Sequence, residues 1–109
     1  MTTETRDTKY NGWTNYRTWV TKLWLDNTES DQELQREWLK IAQDTPKNDV
    51  WTKEETIRFT LADIIKDYLE EANPVTDASL WSDLMRSAIQ DVNFQEIADA
   101  IIEDYKEVK

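Results

Sequence analysis

Carboxylates are the side chains this sequence has in the numbers that concerted chemistry needs. Its 109 residues include 23 Asp and Glu against 13 Lys and Arg, with no His and no Cys. Without His, the usual general base and the commonest transition-metal ligand are missing. Without Cys there are no thiolate nucleophiles, zinc–thiolate sites or disulfides. Ser79, Ser82 and Ser87 share one side of a helical stretch, but no imidazole can activate them. A single glycine leaves no room for a Gly-rich phosphate loop. What remains is oxygen chemistry. Asp67-x-x-Glu70 and Glu96-x-x-Asp99 are carboxylate pairs at helical spacing, a donor set that suits a hard cation such as Mg²⁺.

The same carboxylates have a second use. Asp63, Asp67, Glu70 and Glu71 recur along one side of a helical stretch, and Glu96, Asp99, Glu103 and Asp104 along another. Carboxylates about 5–6 Å apart on a helix face imitate the repeating charge of a phosphate backbone. The charge is also uneven: residues 1–62 are net −2 and residues 63–109 net −8. Direct nucleic-acid binding is disfavoured, because phosphate contacts need clustered Lys and Arg. A protein that itself binds nucleic acid is the natural target of such a surface. The plainer alternative is a negative surface that only keeps the chain soluble.

Five amphipathic segments position these groups. The first helix is expected from Tyr16 to about Asp26 behind an Asn15 cap. Trp19, Leu23, Tyr16, Val20 and Trp24 fall within roughly 140° of its circumference and are expected to face inward. Leu25 is the one apolar residue out of place. A Ser30 or Asp31 cap predicts a second helix over about Gln32–Gln43, stopped by Thr45-Pro46. Its apolar face is Leu34, Trp38, Leu39, Ile41 and Ala42. Thr52-Lys53-Glu54-Glu55 matches a capping box and opens a third helix, Lys53 to about Ala72, with Asn73-Pro74 as its stop. Thr76 or Asp77 is expected to cap a fourth helix reaching Gln90, with Leu80, Trp81, Leu84, Met85, Ala88 and Ile89 inward. Asn93-Phe94-Gln95-Glu96 resembles a second box and opens the fifth. Residues 1–12 read as a flexible arm and residues 13–109 as one compact all-α domain. No apolar run approaches the length of a membrane span and no secretory signal is visible, so a cytoplasmic setting is expected.

The opening run Asn11-Gly12-Trp13-Thr14-Asn15-Tyr16, then Thr18-Trp19, then Leu23-Trp24-Leu25-Asp26-Asn27, resembles the signature of a family of short proteins carried by phages, plasmids and other mobile elements. The resemblance covers about residues 10–27 and brings no catalytic residues. It implies a setting in which small accessory proteins bind host machinery, including restriction and CRISPR systems. The two carboxylate pairs resemble, more distantly, those of all-α magnesium-dependent nucleotide pyrophosphatases. Asp67 stands where that family has Glu, and outward-facing acids on separate helices would not meet.

The reading that follows is a non-catalytic protein without a cofactor, inhibiting a host nucleic-acid-directed defence enzyme through Asp63, Asp67, Glu70, Glu71, Glu96, Asp99, Glu103 and Asp104. The alternatives are the Mg²⁺-dependent nucleotide hydrolase and a module that self-associates, as a dimer for example, through Trp13, Trp24 or Trp51.

Overall fold

In the computed structural model, which describes residues 10–75 and 77–105, the central element is the helix with the strongest start signal. Thr52 Oγ1 accepts the Glu55 N–H at 3.1 Å and Glu55 Oε1 accepts the Thr52 N–H at 2.9 Å, closing the capping box. The helix so opened runs Lys53–Ala72, and it is the third of five: α1 Tyr16–Leu25, α2 Glu29–Asp44, α3 Lys53–Ala72, α4 Leu80–Gln90 and α5 Phe94–Tyr105. The domain is all-α, as the periodicity predicts.

Two starts differ from expectation. α2 begins one turn early, because Thr28 rather than Ser30 or Asp31 supplies the cap and accepts the Asp31 N–H. α4 begins at Leu80, where Ser79 and Ser82 form a reciprocal box. Asp77 precedes it, and Thr76 lies outside the described residues. Of the expected flexible arm, residues 1–9 also lie outside them. Tyr10–Trp13 is a tight turn: Asn11 has φ 49° and Gly12 φ 87°, and Tyr10 and Trp13 exchange both backbone hydrogen bonds at 2.7 Å. Asn-Gly suits such a turn because both residues tolerate the left-handed region.

The core lies where α2 and α5 pack on α3. Leu61 and Ile65 of α3 and Ile97, Ala98 and Ile101 of α5 are completely buried, with Trp38, Leu39 and Ala42 of α2 beside them. Trp38 stacks obliquely on Tyr68, ring centroids 5.0 Å apart. Each of these buried Leu and Ile side chains contributes about 1.5–3 kcal/mol on burial. Helical periodicity turns Ile57, Leu61, Ala62, Ile64, Ile65, Tyr68 and Leu69 of α3 and Phe94, Ile97, Ala98, Ile101, Ile102 and Tyr105 of α5 inward, and all are buried or half-buried; the predicted face of α2 is also the observed one apart from Ile41, which is exposed.

α1 and α4 face the other way. On α1 the buried residues are Thr18, Lys22 and the misfit Leu25, whereas Tyr16, Leu23 and Trp24 are exposed, Trp24 by 65%. Trp19 and Val20 are half-buried. On α4, Leu80, Trp81, Leu84 and Met85 are exposed, Trp81 by 67%; Ala88 and Ile89 are half-buried, and the buried residue is Ser82. The three larger helices already fill one another's apolar faces, so the remaining two attach by polar contacts and helix edges.

Candidate functional site

The signature segment is a docking clasp. Asn15 Oδ1 accepts the Thr18 N–H at 2.9 Å and the Thr18 hydroxyl at 2.7 Å. Thr18 Oγ1 in turn accepts the Asn93 N–H at 2.9 Å. Asn15 Nδ2 donates to the Asp91 carbonyl, Asn93 Nδ2 to Thr14 Oγ1, and the Arg17 guanidinium pairs with Asp91 at 3.2 Å. Thr14 N–H donates to Glu96 Oε1 at 3.0 Å. The expected box at the start of α5 is therefore half closed: Asn93 Oδ1 accepts the Glu96 N–H, but the Glu96 carboxylate reaches Thr14 and not Asn93. The Glu96 carboxylate thereby ties the segment leading into α1 to the first turn of α5.

One turn along α1, Lys22 completes the attachment. Its Nζ, on a side chain only 5% exposed, donates to both Asp26 oxygens at 2.8 Å and to Asp104 Oδ2 at 3.0 Å. Burial alone would lower the Lys22 pKa; the hydrogen bonds to Asp26 and Asp104, with their charges, outweigh it and hold the ammonium above its ordinary 10.5. Gln35 of α2 ties the same corner, donating to the Leu25 carbonyl at 2.7 Å and to Asp26 Oδ1 at 3.0 Å. Buried donors and acceptors cost free energy unless paired, so this network fixes which side of α1 faces in.

The eight predicted contact carboxylates divide into two groups. Glu96 serves the clasp and Asp104 holds Lys22. Asp99 Oδ1 stands 3.0 Å from Arg58 Nε, an ion pair whose N–H does not align as a hydrogen bond. Glu103 is exposed and has an interaction of its own. Asp63, Asp67, Glu70 and Glu71 form an exposed row on α3, and among the described residues none of the four enters an ion pair. The second half of α3 is thus the open acidic surface, and α5 contributes less of it than its sequence implies. The two i, i+3 pairs do not converge. Asp99 sits at Arg58, while Asp67 lies nine residues further along α3, roughly 13 Å at the helical rise. Among the described residues no group of three or more acids is placed to hold a metal ion.

A second surface was not legible as such. Val20, Leu69, Ala72, Met85, Ala88 and Val92 line an open, largely apolar groove of about 320 Å³ between α1, the end of α3 and α4. Val20, Thr21 and Leu69 carry it on into a second depression of about 350 Å³ beside Trp24 and Tyr68. Leu80, Trp81 and Leu84 are exposed on α4, the helix whose Met85, Ala88 and Ile89 line the groove. Of the tryptophans expected at a surface, Trp24 and Trp51 are exposed, Trp51 leaning edge-on against Phe59 at 4.7 Å, and Trp13 is half-buried against the core. Trp81, assigned to the interior by its periodicity, is the most exposed aromatic among the described residues.

A family model described as a family of unknown function, DUF7249, matches residues 6–107, and the chain belongs to that family. No curated protein and no solved structure matches it. Among the described residues no helix is long and apolar enough to cross a membrane.

Proposed function

We propose that this member of the DUF7249 family acts by binding another protein, without catalysis, and that the partner is one whose own ligand is nucleic acid. The observation that carries the reading is the row Asp63, Asp67, Glu70 and Glu71: four exposed carboxylates on two turns of one rigid helix, none of them held in an ion pair among the described residues. Lys66 is the one cation within it. Such a row attracts a cleft lined with Lys and Arg and occupies it in place of phosphates. α3 is also the best-packed element of the fold, so the row is presented without ordering cost. In the mobile-element setting implied by the signature resemblance, the partner is a host enzyme of nucleic-acid-directed defence, and occupation of its cleft inhibits it.

The test is capture of partners from the natural host by immobilised chain, followed by salt elution. Raising salt from about 50 mM to about 200 mM should weaken binding tenfold or more. The Asp63→Lys, Asp67→Lys, Glu70→Lys variant should retain no partner, and nucleic acid should compete with the wild-type chain. Capture that resists salt and survives the triple reversal would refute the reading.

A further inference from the structure

The proposed acidic row leaves the exposed apolar residues of α1 and α4 unexplained. Leu80, Trp81 and Leu84 on α4 and Trp24 on α1 are each more than half exposed, and the groove floored by Val20 and Leu69 lies between the two helices. A cationic cleft has nothing to recognise here. Two helices of one small domain turning their apolar sides to water is costly unless something covers them.

We infer that this surface is covered by a second copy of the chain, giving a two-fold dimer in which the α4 ridge of each copy lies along the groove of the other. Three features of the surface point to a copy of itself. It is self-complementary: the helix that exposes Leu80, Trp81 and Leu84 also forms, with Met85, Ala88 and Ile89, one wall of an open apolar groove, and two-fold symmetry lets each copy's ridge fill the other's groove at once. Its size fits. The exposed parts of Trp24, Leu80, Trp81 and Leu84, with Met85, amount to roughly 500 Å² of apolar surface. A stable interface buries about 800 Å² per partner, of which about two-thirds is apolar in homodimers. Its charge fits as well. The chain carries −10, yet the charges of α4 are Asp83 and Arg86, paired at 3.5 Å, and at the groove wall Arg17 is paired with Asp91. Among the described residues, Asp31 at the far end of the groove and Glu70, which shares a depression with Ser82, Arg86 and Ile89 of α4, are the further charges at its margins. Two copies of an acidic chain meet there with little like-charge repulsion, while the α3 rows stay open to a partner.

Sedimentation equilibrium of the full chain from about 1 μM to about 200 μM tests this directly. The expected result is a reversible species of twice the 13.0 kDa chain mass. Trp81→Glu and Leu84→Lys, both at exposed positions that the fold does not use, should raise the dissociation constant roughly 30-fold or more, as loss of a central anchor does. Ile41→Lys, exposed on α2, should leave it unchanged. A monomer over the whole range overturns the inference. So does a dimer that persists in Trp81→Glu and Leu84→Lys, which would place the interface elsewhere. A monomer that partitions onto zwitterionic vesicles through Trp81 also overturns it and assigns the ridge to a lipid surface.

Discussion

Replacing Lys22 by Met separates the observed orientation of α1 from the one its periodicity suggests. With Lys22 inside, the substitution removes an ammonium whose three contacts to Asp26 and Asp104 are all 3.0 Å or shorter. Hydrogen bonds to charged groups contribute about 1.5–3 kcal/mol. The larger loss of a fully buried pair, about 3–5 kcal/mol, does not apply: the Asp26 and Asp104 side chains are 43% and 50% exposed and rehydrate. Met also keeps most of the stem packing. The expected cost is about 2 kcal/mol, roughly a 10 °C fall in Tm for a domain of this size. The assay is urea unfolding followed by far-UV circular dichroism, in a Leu84→Lys background so that association does not enter. The dependence on pH has a definite sign. Because the Lys22 pKa is raised in the folded state, its stabilisation is complete below about 10.5 and is lost as pH climbs through the folded value. Wild type and Lys22→Met should therefore converge in alkali. In the same background Trp24→Gln, at a 65% exposed site, should cost no more than about 0.5 kcal/mol. A neutral Lys22→Met beside a Trp24→Gln that loses several kcal/mol would refute the reasoning.

The rest of the clasp and its turn give further expectations. Thr18→Val keeps the shape of a completely buried side chain but strands the Asn93 N–H and leaves Asn15 Oδ1 only the Thr18 N–H; it should cost about 1–3 kcal/mol by the same urea assay. Gly12→Ala meets no atom within 4 Å but must hold φ +87°, so a loss of about 1 kcal/mol from backbone strain alone is expected in a thermal melt.

How much of this could be read in the sequence depended on what holds each helix in place. α3 and α5 are held by apolar burial, and the sequence predicts the bounds of α3, the start of α5 and the inward sides of both. α1 is held by Asn15, Thr18 and Lys22, so an apolar-arc argument turned it about half-way round; Leu25, the residue that did not fit, was the clue. The i, i+4 spacing of Lys22 and Asp26 was visible, but nothing in it shows that Asp104 lies alongside. On α4 the arc was traced well and aimed wrongly, because amphipathicity says that a face seeks cover without saying whether the cover lies within the same chain. The acidic candidates suffered a similar limit. Spacing shows that carboxylates share a face, and only the fold shows that Glu96, Asp99 and Asp104 are engaged with Thr14, Arg58 and Lys22.

The outward orientation of α1 and α4 is best measured on the tryptophans themselves. In 5-fluorotryptophan-labelled Leu84→Lys protein, a soluble paramagnetic agent should strongly broaden the ¹⁹F signals of Trp24 and Trp81 and leave that of Trp38 sharp; in concentrated wild type, Trp24 and Trp81 should become protected too. Protection of Trp24 and Trp81 in the Leu84→Lys protein as complete as that of Trp38, at every concentration, would contradict it.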